Sequence, residues 1–566
     1  MRLQTTRSNQ SVLLRFIKAT FMAGLLPALV LLFSVQSNLA GSATWNQNPT
    51  SGDWNTAANW TPATVPNGPD DTATFDASNT TNVFLSTYTQ VDGIVFNPGA
   101  SPYTINVVSS YLDIYGLGIS NNLGGAQSFV NAGRHGISFY NTATAGYGTI
   151  IITNTGSKTG LEGGFVSFWD ESTAGAATII NLGADDNQAG PGGQTYFNDG
   201  TSAGNGTFIC TGSTAAAAFA GSVIFAPGST AANGTFTING STVKGGLGGY
   251  MVVNAARAGT ATITLNGATV AHGGRALLSF LDGADAEKAT LIANGGSGGG
   301  RGGAISFQGT SRGEKARVEL FDDGSLDLSE HDSPGLVIGS IEGNGPVNLG
   351  RRELTIGSNN LNTIFDGVIR DLEGGSLIKA GTGKLELRAA NNYTGGTTID
   401  NGELVINNVS GSGLGRGPVQ VNRGRLGGRG RLSGAVILGT GSESGAVLAP
   451  GKNRTSIGVL TILNSIIFNS ESSYDFQLDS STATSDTVTV SGVTLESGAL
   501  FLATDVASST MALGTTFTAV NNTSPLAIAG TFANLPDGST ITIGNNTFQA
   551  NYEGGDGNDL TLTVVQ

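Results

Sequence analysis

A short strand-like phrase recurs through the middle of this 566-residue chain: GTIIITNTG, ATIINLGA, GTFICTGS, GTFTINGS, ATITLNGA, ATLIANGG and ARVELFDDG. Aligned on Thr149, Thr178, Thr207, Thr235, Thr262, Thr290 and Arg317, the copies stand 29, 29, 28, 27, 28 and 27 residues apart. A second phrase keeps step with it, on Phe139, Phe168, Phe197, Phe225, Val253, Phe280 and Phe307. A unit this short cannot bury a core alone, but it is the size of one coil of a β-solenoid. Coils stacked about 4.8 Å apart pair each strand with the strands above and below, so like residues sit over like. The fold expected is all-β: a parallel β-helix with a β-rich C-terminal part.

Alternation within the phrase separates inside from outside. Ile150, Ile179, Phe208, Phe236, Ile263, Leu291 and Val318 form one inward column; Ile152, Asn181, Cys210, Ile238, Leu265, Ala293 and Leu320 form a second. Thr237, Thr264 and Glu319 fall between them, on the outer face. Cys210, the one cysteine, then reads as a small buried hydrophobe, and an internal disulfide is excluded. Asn239, Asn266 and Asn294, each followed by glycine or preceding a Gly-Gly pair, fall at one turn, where stacked amides can hydrogen-bond to one another.

Composition supports short strands and tight turns. Glycine supplies 87 of 566 residues, about twice the usual share of roughly 7 %. Charged residues are only 12 % and apolar residues 39 %, so the chain can build a core and is not a charged disordered polymer. Residues 1–43 read as a secretory signal: Arg2, Arg7, Arg15 and Lys18, then the apolar run Phe21–Val35, then small residues at Gly41-Ser42-Ala43, with Ala40 as the rival cleavage point. The apolar run is short for a membrane span of about 20 residues and contains Pro27. An exported chain with no membrane span after cleavage is expected, extracellular or at the cell surface. Net charge is −14, and −18 without residues 1–43. Such an acidic body argues against nucleic-acid partners.

After Pro334 the period weakens. GKLELRAANNYTGGTTIDNGELVINN reads as strand, turn, strand. GTGKLELRAANNYTGGTTIDNGELVI closely resembles the autotransporter-associated β-strand repeat, also called the passenger-associated transport repeat, with its G-x-G-x-L-x-L, N-x-Y-T-G-G-T-T and G-x-L-x-I phrases. The likeness covers roughly Gly381 to Asn407, and the segments WNQNPTSGDWNTAANW, VLAPGKNRTSIGVLTI and YEGGDGNDLTLTV are similar to flanking parts of such proteins. The resemblance implies a right-handed, pectin-lyase-like β-helix on an exported passenger, and a role for the repeat in transport or folding. Autotransporters end in a membrane barrel of strands about 9–11 residues long. No such run precedes Gln566, so a separate secretion route or retention at the surface is expected. The organisation read from sequence is signal 1–43, N-terminal cap and first coils 44–130, repeat array 131–333, and the transport-repeat region with a C-terminal β segment 334–566. Whether the last part continues the helix axis stays open at this stage, as does the oligomeric state.

Candidate chemistry is sparse. Glu319, Asp322, Asp323, Asp327, Glu330 and Asp332 cluster beside His331 and could bind calcium or act as acid and base, but a solvated loop fits the spacing better. GGDGNDL, with Asp556 and Asp559, matches one calcium nonapeptide; one copy does not make a stacked site, and a hairpin is expected there. No cofactor is expected beyond weak calcium candidates at Asp322, Asp323, Asp556 and Asp559. Arg423, Arg425, Arg429 and Arg431 stand at even spacing and on one strand would line one face, where an anionic glycan could bind. Trp45, Trp54 and Trp60 could stack on sugars, although an aromatic plug for the terminal coil is the favoured role. No Ser-His-Asp or paired-histidine spacing is evident. The function expected is non-enzymatic: an exported structural or adhesive element. Polysaccharide or cell-surface components are the candidate partners, a polysaccharide-binding module is the alternative, and a lyase or hydrolase is a weaker one.

Overall fold

The computed structural model describes residues 41–122, 125–154, 163–185, 191–442, 445–453 and 455–566. The expected signal segment lies outside the described residues up to Ala40. Among the described residues the chain is β-strand and turn, with one 3-10 turn at Ala57–Asn59, and no helix is long and apolar enough to cross a membrane. It winds as a parallel β-solenoid of about 17 turns.

Two long sheets run along the solenoid. The first has fifteen strands, ending at Ile369–Arg370, and every pairing is parallel except that of Trp60–Thr61 with Ala43–Trp45. On the second side strands pair in parallel from coil to coil, from Asn82–Phe84 to Leu500–Asp505, with the short Thr484–Ser485 antiparallel to Ser473–Asp479. Within the repeat array the third side is a column of single bridges, Thr144–Thr173–Ser202–Thr230–Arg257–Asp285–Arg312. After Pro334 that side becomes an eight-stranded parallel sheet, Gly335–Ile338 to Val493–Leu495. The coils also shorten: Thr363, Leu385, Leu404, Leu426 and Leu448 are register partners 22, 19, 22 and 22 residues apart. The second ladder passes through this change without a break, so the axis continues into the C-terminal third. A last sheet of seven strands starts at Arg431–Leu432 and ends in the antiparallel strands Asp559–Val564, Asn546–Gly554 and Thr540–Ile543.

The Phe139 column is in register throughout: Phe139, Phe168, Phe197, Phe225, Val253, Phe280 and Phe307 are successive partners, and all are fully buried. Rings within it stack at 4.6–5.0 Å and at angles of 4–11°. Phe208 stacks on Phe236 at 4.7 Å in the facing column. The two columns meet edge to face, Phe197 on Phe208 at 5.6 Å and Phe225 on Phe236 at 5.8 Å. Such pairs add about 0.5–1.5 kcal/mol each beyond the area they bury.

One alignment is corrected. Ile150 pairs with Thr178, not Thr149, because an irregularity at Tyr147–Ile150 shifts the strand by one residue. Ile151 and Thr153 therefore point inward, while Ile150 and Ile152 are half-exposed. This slip places Thr153 over Asn181, and Thr153 Oγ1 donates to Asn181 Oδ1 at 2.7 Å. Asn181 also receives Thr195 Oγ1 at 3.0 Å and donates to the Ser222 carbonyl at 2.8 Å, so its buried amide is satisfied. Next in the column, Cys210 is fully buried, and burial pushes its thiol up to about 12 against the opposing hydrogen bond from Asn181. The asparagine ladder forms: Asn294 donates to Asn266 and Asn266 to Asn239, each at 2.8 Å.

Replacing Phe225 with Asp puts a charge between the stacked ring of Phe197 and Val253, against the edge of Phe236. The expected loss of stability exceeds the roughly 3–5 kcal/mol typical of Phe→Ala, read by chemical denaturation. An unchanged transition would mean that this column is not the core. Phe225→Leu should cost far less.

Candidate anion-binding site

The four arginines do not share a strand. Only Arg425 lies in Gly424–Gly428, and its side chain is buried, 3.2 Å from Glu403 Oε1. Arg423 is exposed on the turn before that strand. Gly428 has φ +116°, and a Cβ there would lie 2.0 Å from the Ile406 carbonyl; the chain turns, and Arg431 begins a strand of another sheet. The even spacing is thus broken by a glycine corner, and the expectation of a four-arginine face is overturned.

The corner assembles a different set. Phe365, Leu387, Ile406 and Gly428 are successive partners on the second side. The residues that follow them, Asp366, Arg388, Asn407 and Arg429, therefore stack one per coil. Gly451 bridges Gly428 and brings Lys452 onto the same corner. Arg388, Arg429, Arg431 and Lys452 line a depression of about 650 Å³, with Asn407, Asn408, Val409, Val459 and Thr461 completing its wall. Arg429 also donates to the Ile457 carbonyl, while the Asn408 side chain fixes the backbone N–H of Arg431 at 3.0 Å.

Glu386 lies beneath, its side chain 3 % exposed. It accepts Arg388 Nε at 2.7 Å and Asn407 Nδ2 at 2.9 Å, with Lys452 Nζ at 3.9 Å. Burial alone would raise its pKa; the hydrogen bonds from Arg388 and Asn407 and the charges of Arg388 and Lys452 outweigh it and hold the carboxyl low. Asp366 is 3.8 Å from Arg388. Two carboxylates therefore anchor Arg388 and Lys452, and among the described residues no carboxylate pairs with Arg429 or Arg431.

The neighbouring segment explains how the corner is held. Asn391 is buried where the first long sheet stops. Its Oδ1 accepts the Ile369 N–H at 2.8 Å and its Nδ2 donates to the Gly413 carbonyl at 2.7 Å, so one side chain bridges the coils on both sides. Tyr393 is fully buried, its hydroxyl 2.6 Å from Thr397 Oγ1. Thr394 binds Asp371 through its hydroxyl at 2.7 Å and its N–H at 2.9 Å. Gly396 has φ +96°. The N-x-Y-T-G-G-T-T phrase is thus a buried coil-to-coil clamp.

The other sequence candidates are engaged elsewhere. Trp45, Trp54 and Trp60 are at most 1 % exposed. Trp60 contacts both other indoles at 5.0 Å, and all three pack on Phe75. They have no free face for a sugar, so that reading is withdrawn; their packing is that of a plug. Asp323 accepts the N–H groups of Gly296 and Gly302, each at 2.7 Å, and Asp322 takes φ +55° in the turn after Arg317–Leu320. Glu319 lies 3.1 Å from Arg317, and His331 is buried with its ring nitrogens facing the Asp332 and Ser311 carbonyls at 2.8 and 2.7 Å. This stretch is built into coils rather than a loop where the array ends. Asp559 accepts the Asn522 N–H at 2.8 Å, and Asp556 is in the hairpin turn between the last two strands. Among the described residues no three His, Cys, Asp or Glu side chains are grouped to hold a metal ion.

With this geometry in view, the comparisons are limited and specific. The family model of the Passenger-associated-transport-repeat matches residues 377–406. Comparison with curated proteins gave no match. The matched segment, within a β-solenoid, contains Glu386, Arg388 and the Asn391 clamp, and this stretch is of the autotransporter-associated repeat type.

Asn391→Ala would strip two buried backbone groups of their partners, each costing about 1–3 kcal/mol. A loss of about 2–4 kcal/mol is expected in denaturant melts, against little change for exposed Asn392→Ala. Asp486 gives a pH signature. It is buried and accepts the Gly458 and Gln477 N–H groups at 2.8 and 3.0 Å; burial raises its pKa to about 7, although those bonds and Arg425 pull the other way. The folded state then holds a proton that the unfolded state has released, so Asp486 makes stability fall as pH rises from about 4 to about 7. Denaturation across that window should show a flatter slope in Asp486→Asn, whatever its absolute cost.

Proposed function

We propose that this chain is an exported, non-enzymatic β-solenoid of the autotransporter-passenger kind, an extended surface scaffold that holds acidic polymer at its basic corner. The passenger part rests on the transport-repeat match inside a continuous parallel solenoid. Right-handed, pectin-lyase-like winding belongs to the same reading, as the resemblance implies. Outside the cell such a body is a rigid spacer, and its adhesive role falls to what the corner binds.

The observation that carries the ligand class is the placement of Arg388, Arg429, Arg431 and Lys452 around one depression in a chain of net charge −14. Local positive charge on an acidic body singles out that spot for a polyanion. Guanidinium forks suit carboxylate and sulfate groups, which they bind in pairs of parallel hydrogen bonds. Placement along the solenoid axis suits a linear chain of uronic acids: Arg388 and Arg429 stand two coils apart on one corner with Lys452 beside them, so basic groups follow the axis as carboxylates follow the polymer.

Affinity electrophoresis in gels with polygalacturonate or alginate, against neutral dextran, tests the reading. Retardation by the acidic polymers alone is expected, weakened about tenfold in Arg429→Ala/Arg431→Ala, unchanged in Arg423→Ala, and lost in about 0.5 M salt as charges are screened. Equal mobility in all gels would refute the ligand class. New reducing ends released from polymer, with or without calcium, would refute the non-enzymatic reading.

A further inference from the structure

Three of the four tryptophans are sealed in the N-terminal plug, but Trp169 is 42 % exposed. It follows the strand Phe165–Phe168 of the first long sheet. The inward residues of that strand feed the phenylalanine core, so Phe165 and Ser167 point outward. Tyr140, one coil earlier, stacks on the indole at 6.4 Å and 10°, and Tyr115 stacks on Tyr140 at 4.9 Å and 13°. One face of Trp169 is thus backed by a stair of rings, and its other side borders a depression of about 470 Å³. Phe165, Ser167, Gln194, Tyr196 and Asn198 also line it, with Gly163 and Pro191.

The polar side chains of this lining are ordered. Trp169 Nε1 donates to Ser167 Oγ at 3.1 Å, which holds the indole upright. Tyr196 donates to Gln194 Oε1 at 2.6 Å, and Asn198 Nδ2 donates to the Phe168 carbonyl at 2.8 Å. These bonds orient Gln194 Nε2 and Asn198 Oδ1, which have no protein partner among the described residues: one unused donor and one unused acceptor in a lining that also holds aromatic rings. No charged side chain lines the depression.

We infer that this depression is a second, uncharged glycan site, which seats a neutral pyranose ring against Trp169 and pairs its hydroxyls with Gln194 and Asn198. A sugar has an apolar C–H face and a rim of hydroxyls that both donate and accept, and this pairing of aromatic rings and amides matches both. A purely apolar ligand would strand the two amides without partners, and an anion would find no cation. The volume lies in the usual range for small-ligand sites, about 300–1,000 Å³. The site shares no residue with the basic corner, so the two stand or fall separately.

Tryptophan fluorescence gives a direct test, because the other three indoles are buried. The purified chain is titrated with soluble oligosaccharides of glucose, mannose, galactose and N-acetylglucosamine. A saturable change in intensity or emission maximum with at least one series is expected, abolished in Trp169→Phe. Isothermal titration with the responding series should then show affinity weakened about tenfold or more in Trp169→Ala and several-fold in Gln194→Ala. Thermal melts of the variants should match the parent, since these side chains are outside the core. No saturable response to any series, or equal affinity in Trp169→Ala, overturns the site. Arg429→Ala/Arg431→Ala should leave the response intact; its loss there would place the sugar at the basic corner instead.

Discussion

The body of the described solenoid depends on parallel backbone pairing between one coil and the next. The pairing fixes register, and register decides which side chains meet. Phenylalanine lies over phenylalanine and asparagine over asparagine because the ladder leaves a residue no other neighbour along the axis. Each coil touches only the coils beside it, so the core is a set of columns rather than a centre. Where a full strand is missing, a side chain takes over the ladder: Asn391 does so where the first sheet stops, with one amide serving both neighbours.

The same constraint composes the surface. A residue just past a strand end is carried to the same corner on every coil, and charges far apart in sequence become neighbours. Arg388, Asn407 and Arg429 meet in this way although about 20 residues separate each from the next. The aromatic stair of Tyr115, Tyr140 and Trp169 arises identically on another side. A solenoid can therefore present a repeating chemical pattern to a repeating polymer without any loop built for the purpose.

Much of this was legible in the sequence because the repeat encodes register directly. The phenylalanine column, the inward place of Cys210 and the asparagine ladder all follow from period and alternation. The slip at Tyr147–Ile150 was not legible: several isoleucines in a row satisfy either register, and only pairing with Thr178 and Asn181 decides between them. The arginine spacing misled for a related reason. Alternation predicts one face only while the strand lasts, and Gly428 ends it. Arg388 and Lys452 belong to the corner through coils whose lengths vary too much for sequence alignment to place them. Trp45, Trp54 and Trp60 close the first coils in the plug role favoured from sequence, while Trp169 is left exposed because it follows a strand whose inward places are already filled by Val166 and Phe168.

Cys210 carries a consequence of its own. In an oxidising compartment a lone thiol invites cross-linking to other molecules. Here the sulfur is enclosed midway along the columns, and its high pKa leaves almost none of it as the reactive thiolate. Chemical silence is thus conferred by the neighbouring coils and not by the residue itself. Until the coils on either side of Cys210 have stacked, that protection is absent, so its sulfur is guarded by folding itself.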